Sequence, residues 1–169
     1  MTQIRKTLGF FLVSGNKIHV SDPCYDYTCS GATTLDNVLS GEYLATITFC
    51  NMKSWETSTL SINHVDYANV SPENFIGNVT VDSGQIGFFD DLYYRQNQGG
   101  KFGDTDSFYG FACSLTLSKN HGGIIHNRGV VSDTAFGDGT YNLFCAINHA
   151  KKIVAASIVF VTDDELEES

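Results

Sequence analysis

The chain has 169 residues, 42% of them hydrophobic and 12% aromatic, enough for one domain with a single buried core. Ten basic residues face nineteen acidic ones, a formal net charge of −9, with no Lys/Arg cluster to track a duplex, so duplex nucleic acid is excluded as a partner. No apolar run approaches the roughly 18 residues of a membrane span, and the first residues lack a signal-peptide core. The expectation is no membrane partner and a cytoplasmic location.

In chain order, Leu8 to Val13 and Lys17 to Ser21 read as strands around a Ser14-Gly15-Asn16 hairpin turn. Thr34 to Leu39 is a candidate short helix. Tyr43, Ala45, Ile47 and Phe49 alternate with Leu44, Thr46, Thr48 and Cys50, which is strand periodicity. Leu60 to Ile62 repeats it briefly. Ser71-Pro72-Glu73 carries an N-cap followed by proline at the first helical position. Val79 to Ser83 reads as a strand, Phe89 to Gln96 as a short helix, and Phe111 to Ser118 and Ile124 to Ser132 as strands. Tyr141 to Asn148 and Lys152 to Val161 flank His149-Ala150-Lys151 as a second hairpin. The last strand is apolar on both faces and is therefore expected to be central.

The fold expected is mainly β: a single-domain antiparallel β-sandwich or partly open barrel over residues 1–162, with short helices in the connections. Five acids crowd the last seven residues, making 163–169 an acidic tail with a frayed, solvated end. Exposed sheet edges in so small a domain suit a homo-oligomer that covers one.

The five cysteines form no zinc-ligand spacing and read as reduced thiols, Cys24 among them as a small packed side chain. His19, His64, His121, His126 and His149 are scattered. His121 and His126 flank Gly122-Gly123 and read as solvated loop residues, with a face-to-face placement across a hairpin as the alternative. P-loop and nucleophile-elbow patterns are absent.

Three segments at strand ends combine turn formers with polar side chains: Ser21-Asp22-Pro23-Cys24-Tyr25, Val81-Asp82-Ser83-Gly84-Gln85, and Ser132 to Tyr141 with its Gly137-Asp138-Gly139 turn. Each acid has two readings, a turn residue whose carboxylate accepts backbone N–H groups or a ligand contact. Together Asp22, Tyr25, Asp82, Ser83, Gln85, Ser132, Asp138 and Tyr141 are the candidate ligand-binding set. In an enzyme, Asp82 or Asp138 would act as general base, with Ser83 or Ser132 orienting the reacting group. Asp90 and Asp91 could join Asp22, Asp82 and Asp138 around a divalent cation, Mg²⁺ or Ca²⁺; no other cofactor is expected. Tyr93, Tyr94, Phe108, Tyr109 and Phe111 are mostly core, with one or two suited to stacking on a base.

Asp-Pro-Cys-Tyr, Val-Asp-Ser-Gly-Gln and Gly-Asp-Gly-x-Tyr, in this order between Val20 and Phe160, resemble the motifs of a family of uncharacterised bacterial and phage proteins. The resemblance implies a compact β-rich domain in which Asp22, Cys24, Tyr25, Asp82, Ser83, Gln85, Ser132, Asp138 and Tyr141 hold motif positions. The insert from Arg95 to Ser107 has no counterpart there. The function expected is binding of a small polar or nucleotide-like ligand, such as a phage protein sequestering a nucleotide-derived host defence signal. A phosphodiesterase-like hydrolase cleaving that signal is the alternative, and a structural or partner-binding module the third reading.

Overall fold

The structure is a computed structural model and describes residues 2–168. It is a sandwich of two antiparallel sheets, not closed into a barrel. The larger sheet has the order β1 (Gln3–Val13), β4 (Gly41–Asn51), β5 (Trp55–His64), β11 (Ile153–Val159), β10 (Gly139–Ile147) and β6 (Asn74–Val81). The smaller has the order β3 (Thr33–Leu35), β2 (Ile18–Ser21), β7 (Gln85–Asp90), β9 (Gly129–Asp133) and β8 (Gly122–Ile125). No helix among the described residues is long and apolar enough to cross a membrane.

Period-two alternation places one row of each strand between the sheets. Phe11, Tyr43, Ala45, Leu60, Ile62, Val79, Leu143 and Ile158 meet Ile18, Val20, Ile86, Phe88 and Val130 in that layer. β11 is central, between β5 and β10. Its second face is also closed, with Ala155 fully buried and the Ser157 hydroxyl paired with Ser61. On the outer face of the smaller sheet, Phe89, Ile125 and Val131 pack under Tyr94 of α1 (Asp91–Gln96) and Phe108 and Ala112 of α2 (Phe108–Thr116).

That second core explains the main departure from the sequence reading. Phe111 to Ser118 alternates like a strand, yet Phe108–Thr116 is helical. Phe108, Ala112 and Thr116, spaced by four, are its buried stripe, and the Ser107 hydroxyl caps it by accepting from the Gly110 N–H at 3.1 Å. An uncovered apolar sheet face outweighs a weak local preference.

Four smaller expectations also change. Ser14-Gly15-Asn16 is no hairpin: β1 and β2 lie in different sheets, and the chain turns where Asp90 accepts from the Ser14 N–H and hydroxyl. Thr34 to Leu39 starts as strand β3, because Thr33–Leu35 pairs with β2. Ser71-Pro72-Glu73 opens no helix and leads straight into β6, while a short 3-10 turn, Val65–Tyr67, precedes it. Phe89 and Asp90 end β7, so the helix expected from Phe89 starts at Asp91.

The tail is a short exposed helix, α3 (Asp163–Glu168), rather than a frayed end. Thr162 and Glu165 form a reciprocal cap: the Glu165 carboxylate accepts the Thr162 N–H at 2.7 Å, and the Thr162 hydroxyl accepts the Glu165 N–H at 3.3 Å. Ser169 lies outside the described residues.

Candidate functional site

The three motifs gather at one end of the sandwich, and Asp22 is their hub. It follows β2, is fully buried, and its carboxylate receives four donors. Oδ2 accepts the N–H groups of Asp82 at 2.8 Å and Ser83 at 2.7 Å. Oδ1 accepts the Cys24 N–H at 2.8 Å and the Ser83 hydroxyl at 2.6 Å. Four donors occupy about all the lone-pair sites a carboxylate has. Asp22 therefore staples the first motif to the β6–β7 turn, where Gly84 at φ +70° lets the chain cross from one sheet to the other.

The remaining motif residues support this staple or the turns beside it. Tyr25, 9% exposed, donates its hydroxyl to Asp82 Oδ2 at 2.5 Å. The Tyr94 hydroxyl donates to the Tyr25 carbonyl at 2.6 Å, with the Asp22 carbonyl at 3.1 Å. Gln85 ties β7 to α2, donating to Cys113 Sγ and accepting from the Thr116 hydroxyl. Ser132 is fully buried and bonds the Asp133 carbonyl. Tyr141 and Thr134 both donate to the Gly137 carbonyl, closing the turn that carries Asp138. Asp138 is exposed at that tip; Gly139 pairs with Val81, so the third motif lies beside the second in the ladder. Of the candidate acids and hydroxyls, Asp82 and Asp138 are exposed and Ser83 half-buried.

A depression of about 560 Å³ borders the staple, lined by Cys24, Tyr25, Asp26, Tyr27, Thr28, Gln98 and Gly99. The unmatched insert forms its far wall: Gln98 accepts the Tyr27 N–H, and Gly99 accepts the Tyr109 N–H. Tyr27 has no free face for a ring, because His19 stacks at 4.7 Å and the Arg95 guanidinium sits 4.3 Å from its centroid. Cys24 is exposed rather than packed, and desolvation of its thiol with the Asp22 carboxylate beside it pushes the thiol up to about 12. It stays neutral at ordinary pH and is a poor nucleophile.

The carboxylates expected around a cation are held apart by their own partners. Asp90 accepts from Ser14 and from Arg128 Nη1 at 2.6 Å, and Asp91 from the Tyr27 hydroxyl at 2.9 Å and Arg95 Nε at 3.2 Å. Among the described residues no three His, Cys, Asp or Glu side chains gather as metal ligands.

A different constellation sits where the sandwich opens between β1, β4 and β5 and the hairpin β8–β9. Ile125-His126-Asn127-Arg128 is a β-turn with φ of +48° and +63° at its two central residues, closed by the Arg128 N–H to the Ile125 carbonyl at 2.9 Å, and Arg128 is a third loop residue because Ile125 pairs with Gly129. The register it sets, Gly122 opposite Ser132, brings His121 to Asp133. His121 Nδ1 lies 2.7 Å from Asp133 Oδ2, and the Thr57 hydroxyl of β5 donates to Asp133 Oδ1. Burial pushes the Asp133 carboxyl above its ordinary range, against the pull of both hydrogen bonds and of His121. The two histidines do not face one another. His126, at the hairpin tip, stacks on Phe111 at 4.9 Å and bonds Tyr93.

Across the gap, Ile4 pairs with Phe49, Phe49 with Thr57, and Lys6 and Trp55 lie two residues along the same rows. Two-residue spacing keeps them on one face. Ile4, Lys6, Phe49 and Trp55, with Lys119 and His121, line a depression of about 250 Å³. The edge of Phe49 meets the His121 ring at 5.4 Å, and Lys6 Nζ lies 5.8 Å from the Phe49 centroid. Among the described residues neither Lys6 nor Lys119 makes an ion pair, and the salt bridges engage Lys17, Arg95, Arg128 and two histidines.

The sequence reading missed this site. The available signal was positional: a three-residue loop, His126 to Arg128, puts residue 121 opposite 133 by counting, whereas Ile124 to Ser132 reads from sequence as one strand. No family model, no curated protein and no solved structure matches the chain.

Proposed function

We propose that this protein binds a small anionic molecule carrying an aromatic ring, of the nucleotide class, in the depression at His121 and Asp133. The observation that supports this reading is the convergence of Lys6, Lys119, Trp55, Phe49 and a carboxylate-paired imidazole at one opening of a chain whose net charge is −9. Two ammonium groups attract a phosphate, and the exposed Trp55 offers a ring for stacking. A volume of about 250 Å³ falls below the roughly 300–1,000 Å³ of pockets that enclose larger ligands. It suits one ring and one phosphate, with any second nucleoside left in solvent. The ligand class is the one expected from the sequence; the site is not. The motif cluster becomes the scaffold that ties the two sheets together, and sequestration of a nucleotide-derived host signal is the use suggested by the motif resemblance.

Trp55 is the single tryptophan of the chain, so its emission reports on the site directly. Titration with adenosine 5′-monophosphate should give a saturable change that weakens as salt is raised, because screening acts on the lysine–phosphate attraction. Adenosine and ribose 5-phosphate, each carrying half of the recognised chemistry, should bind at least tenfold more weakly. Unchanged Trp55 emission and no calorimetric heat up to millimolar nucleotide would refute the reading. Self-association across the β6 edge, where Phe75 and Ile76 are exposed, belongs to the same proposal. A monomer in sedimentation at micromolar concentration removes that part.

A further inference from the structure

We propose that the same depression is a hydrolytic centre for phosphate esters, with His121 Nε2 as general base and Asp133 as the residue that positions it. This rests on the binding reading above and adds chemistry to it. Asp133 Oδ2 lies 2.7 Å from His121 Nδ1, and a carboxylate at that nitrogen fixes the proton there. The lone pair is left on Nε2, which has no protein hydrogen-bond partner among the described residues. Asp133 is itself held: its other oxygen accepts from Thr57, a buried side chain of the opposite sheet. The edge of Phe49 bounds the imidazole. A base oriented by an acid, which is oriented in turn by a third group, is the arrangement that general-base catalysis needs. Lys6 and Lys119 line the same depression and would neutralise a phosphate and the charge developing on it.

The step balances with groups of this chain and water alone. A water held by Nε2 attacks phosphorus, forming a new P–O bond as its proton passes to Nε2. The ester P–O bond breaks, and the leaving oxygen departs with the bonding pair and is protonated by solvent. The imidazolium then releases its proton to solvent. Ester and water become phosphate acid and alcohol, with no change of oxidation state. Asp133 stabilises the transient imidazolium, and Lys6 and Lys119 the phosphoryl oxygens.

The test uses the full-length protein with three probes, bis(4-nitrophenyl) phosphate, 4-nitrophenyl phosphate and 2′,3′-cyclic adenosine monophosphate, beside Trp55 titration with adenosine 5′-monophosphate. Turnover of at least one probe is expected, with a rate that falls on acidification as the imidazole takes up a proton. His121→Gln should lower kcat about 100-fold or more while KM changes less than tenfold. His121→Gly, tolerated at a backbone φ of +61°, should regain turnover when free imidazole is added. Asp133→Asn should lower kcat and move the acidic limb of the pH–rate profile to lower pH, because the imidazolium loses its counter-ion. A merely structural role would leave that limb in place. Binding of adenosine 5′-monophosphate with no turnover of any probe overturns the catalytic inference and leaves the binding reading standing. Turnover that survives in a folded His121→Gln also overturns it, and loss of both binding and turnover in the unaltered protein removes both readings.

Discussion

Acidification should destabilise this protein through one histidine in particular. His19 is 2% exposed, lies between the rings of Tyr27 and Tyr94 at 4.7 and 4.4 Å, and has Nδ1 3.3 Å from the Thr34 hydroxyl. Its Nε2 is buried without a hydrogen-bond partner among the described residues. A proton there would add a charge and a donor where neither is solvated. Burial accordingly lowers His19 from 6.5 to about 4, with Asp91 pulling the other way and Arg95 adding to the depression. Between those two pH values the unfolded chain binds a proton that the folded chain refuses, so stability falls as pH falls. At about 1.4 kcal/mol per pH unit the full gap corresponds to about 3 kcal/mol, and at pH 5 to about 2 kcal/mol. His19→Phe keeps an aromatic ring in the stack and removes the titrating group, at the expense of the bond to Thr34. Urea unfolding followed by circular dichroism at pH 7, 6, 5 and 4 gives the difference in stability between the two proteins. That difference should shift by about 3 kcal/mol in favour of the variant between pH 7 and 4, with no change in m. A shift below about 1 kcal/mol would show that His19 does not carry the acid sensitivity.

Asp22→Asn leaves one amide facing donors that need a carboxylate, and should cost about 3–5 kcal/mol in unfolding free energy, the range for breaking a buried charge network; a loss under about 1 kcal/mol would deny it the stapling role. Asp138→Asn, at an exposed turn tip, should stay within about 0.5 kcal/mol of the unaltered protein and leave nucleotide titration of Trp55 unchanged. Lys6→Ala with Lys119→Ala should weaken adenosine 5′-monophosphate binding at least tenfold and flatten its salt dependence, as read by Trp55 emission, whereas equal affinity at every salt concentration would remove the lysines from the site.

The motif acids show how far local chemistry carries a reading. That Asp22 before Pro23 meets backbone N–H groups was one of its two readings from sequence, since Asp in a turn commonly does so. That two of those groups belong to Asp82 and Ser83, some 60 residues away, depends on the crossing of β6 into β7 between sheets. The His121 site was hidden for a different reason. Its hairpin turns on His126 and Asn127, both at positive φ, where asparagine or aspartate followed by glycine is the usual signal. Without that signal the two strands merged into one, and the pairing of His121 with Asp133 disappeared with the turn. Lys6 and Trp55 carry no local mark at all; their meaning comes from strands that pair with β4 from either side.

Alternation along Tyr43 to Phe49, Tyr141 to Ile147 and Ile153 to Val159 determined from sequence alone that this chain builds antiparallel sheets with a shared core, because every second side chain of a strand must face the apolar layer. Tertiary structure decided what local pattern leaves degenerate. Phe108–Thr116 became a helix because the outer face of the smaller sheet needed an apolar cover, and its spacing by four supplies one. Ser14-Gly15-Asn16 became a corner between sheets because Asp90, 76 residues from Ser14, captures its N–H and hydroxyl. The candidate site draws on β1, β4, β5 and the start and end of the β8–β9 hairpin, so its geometry exists only once two sheets are packed and their registers set.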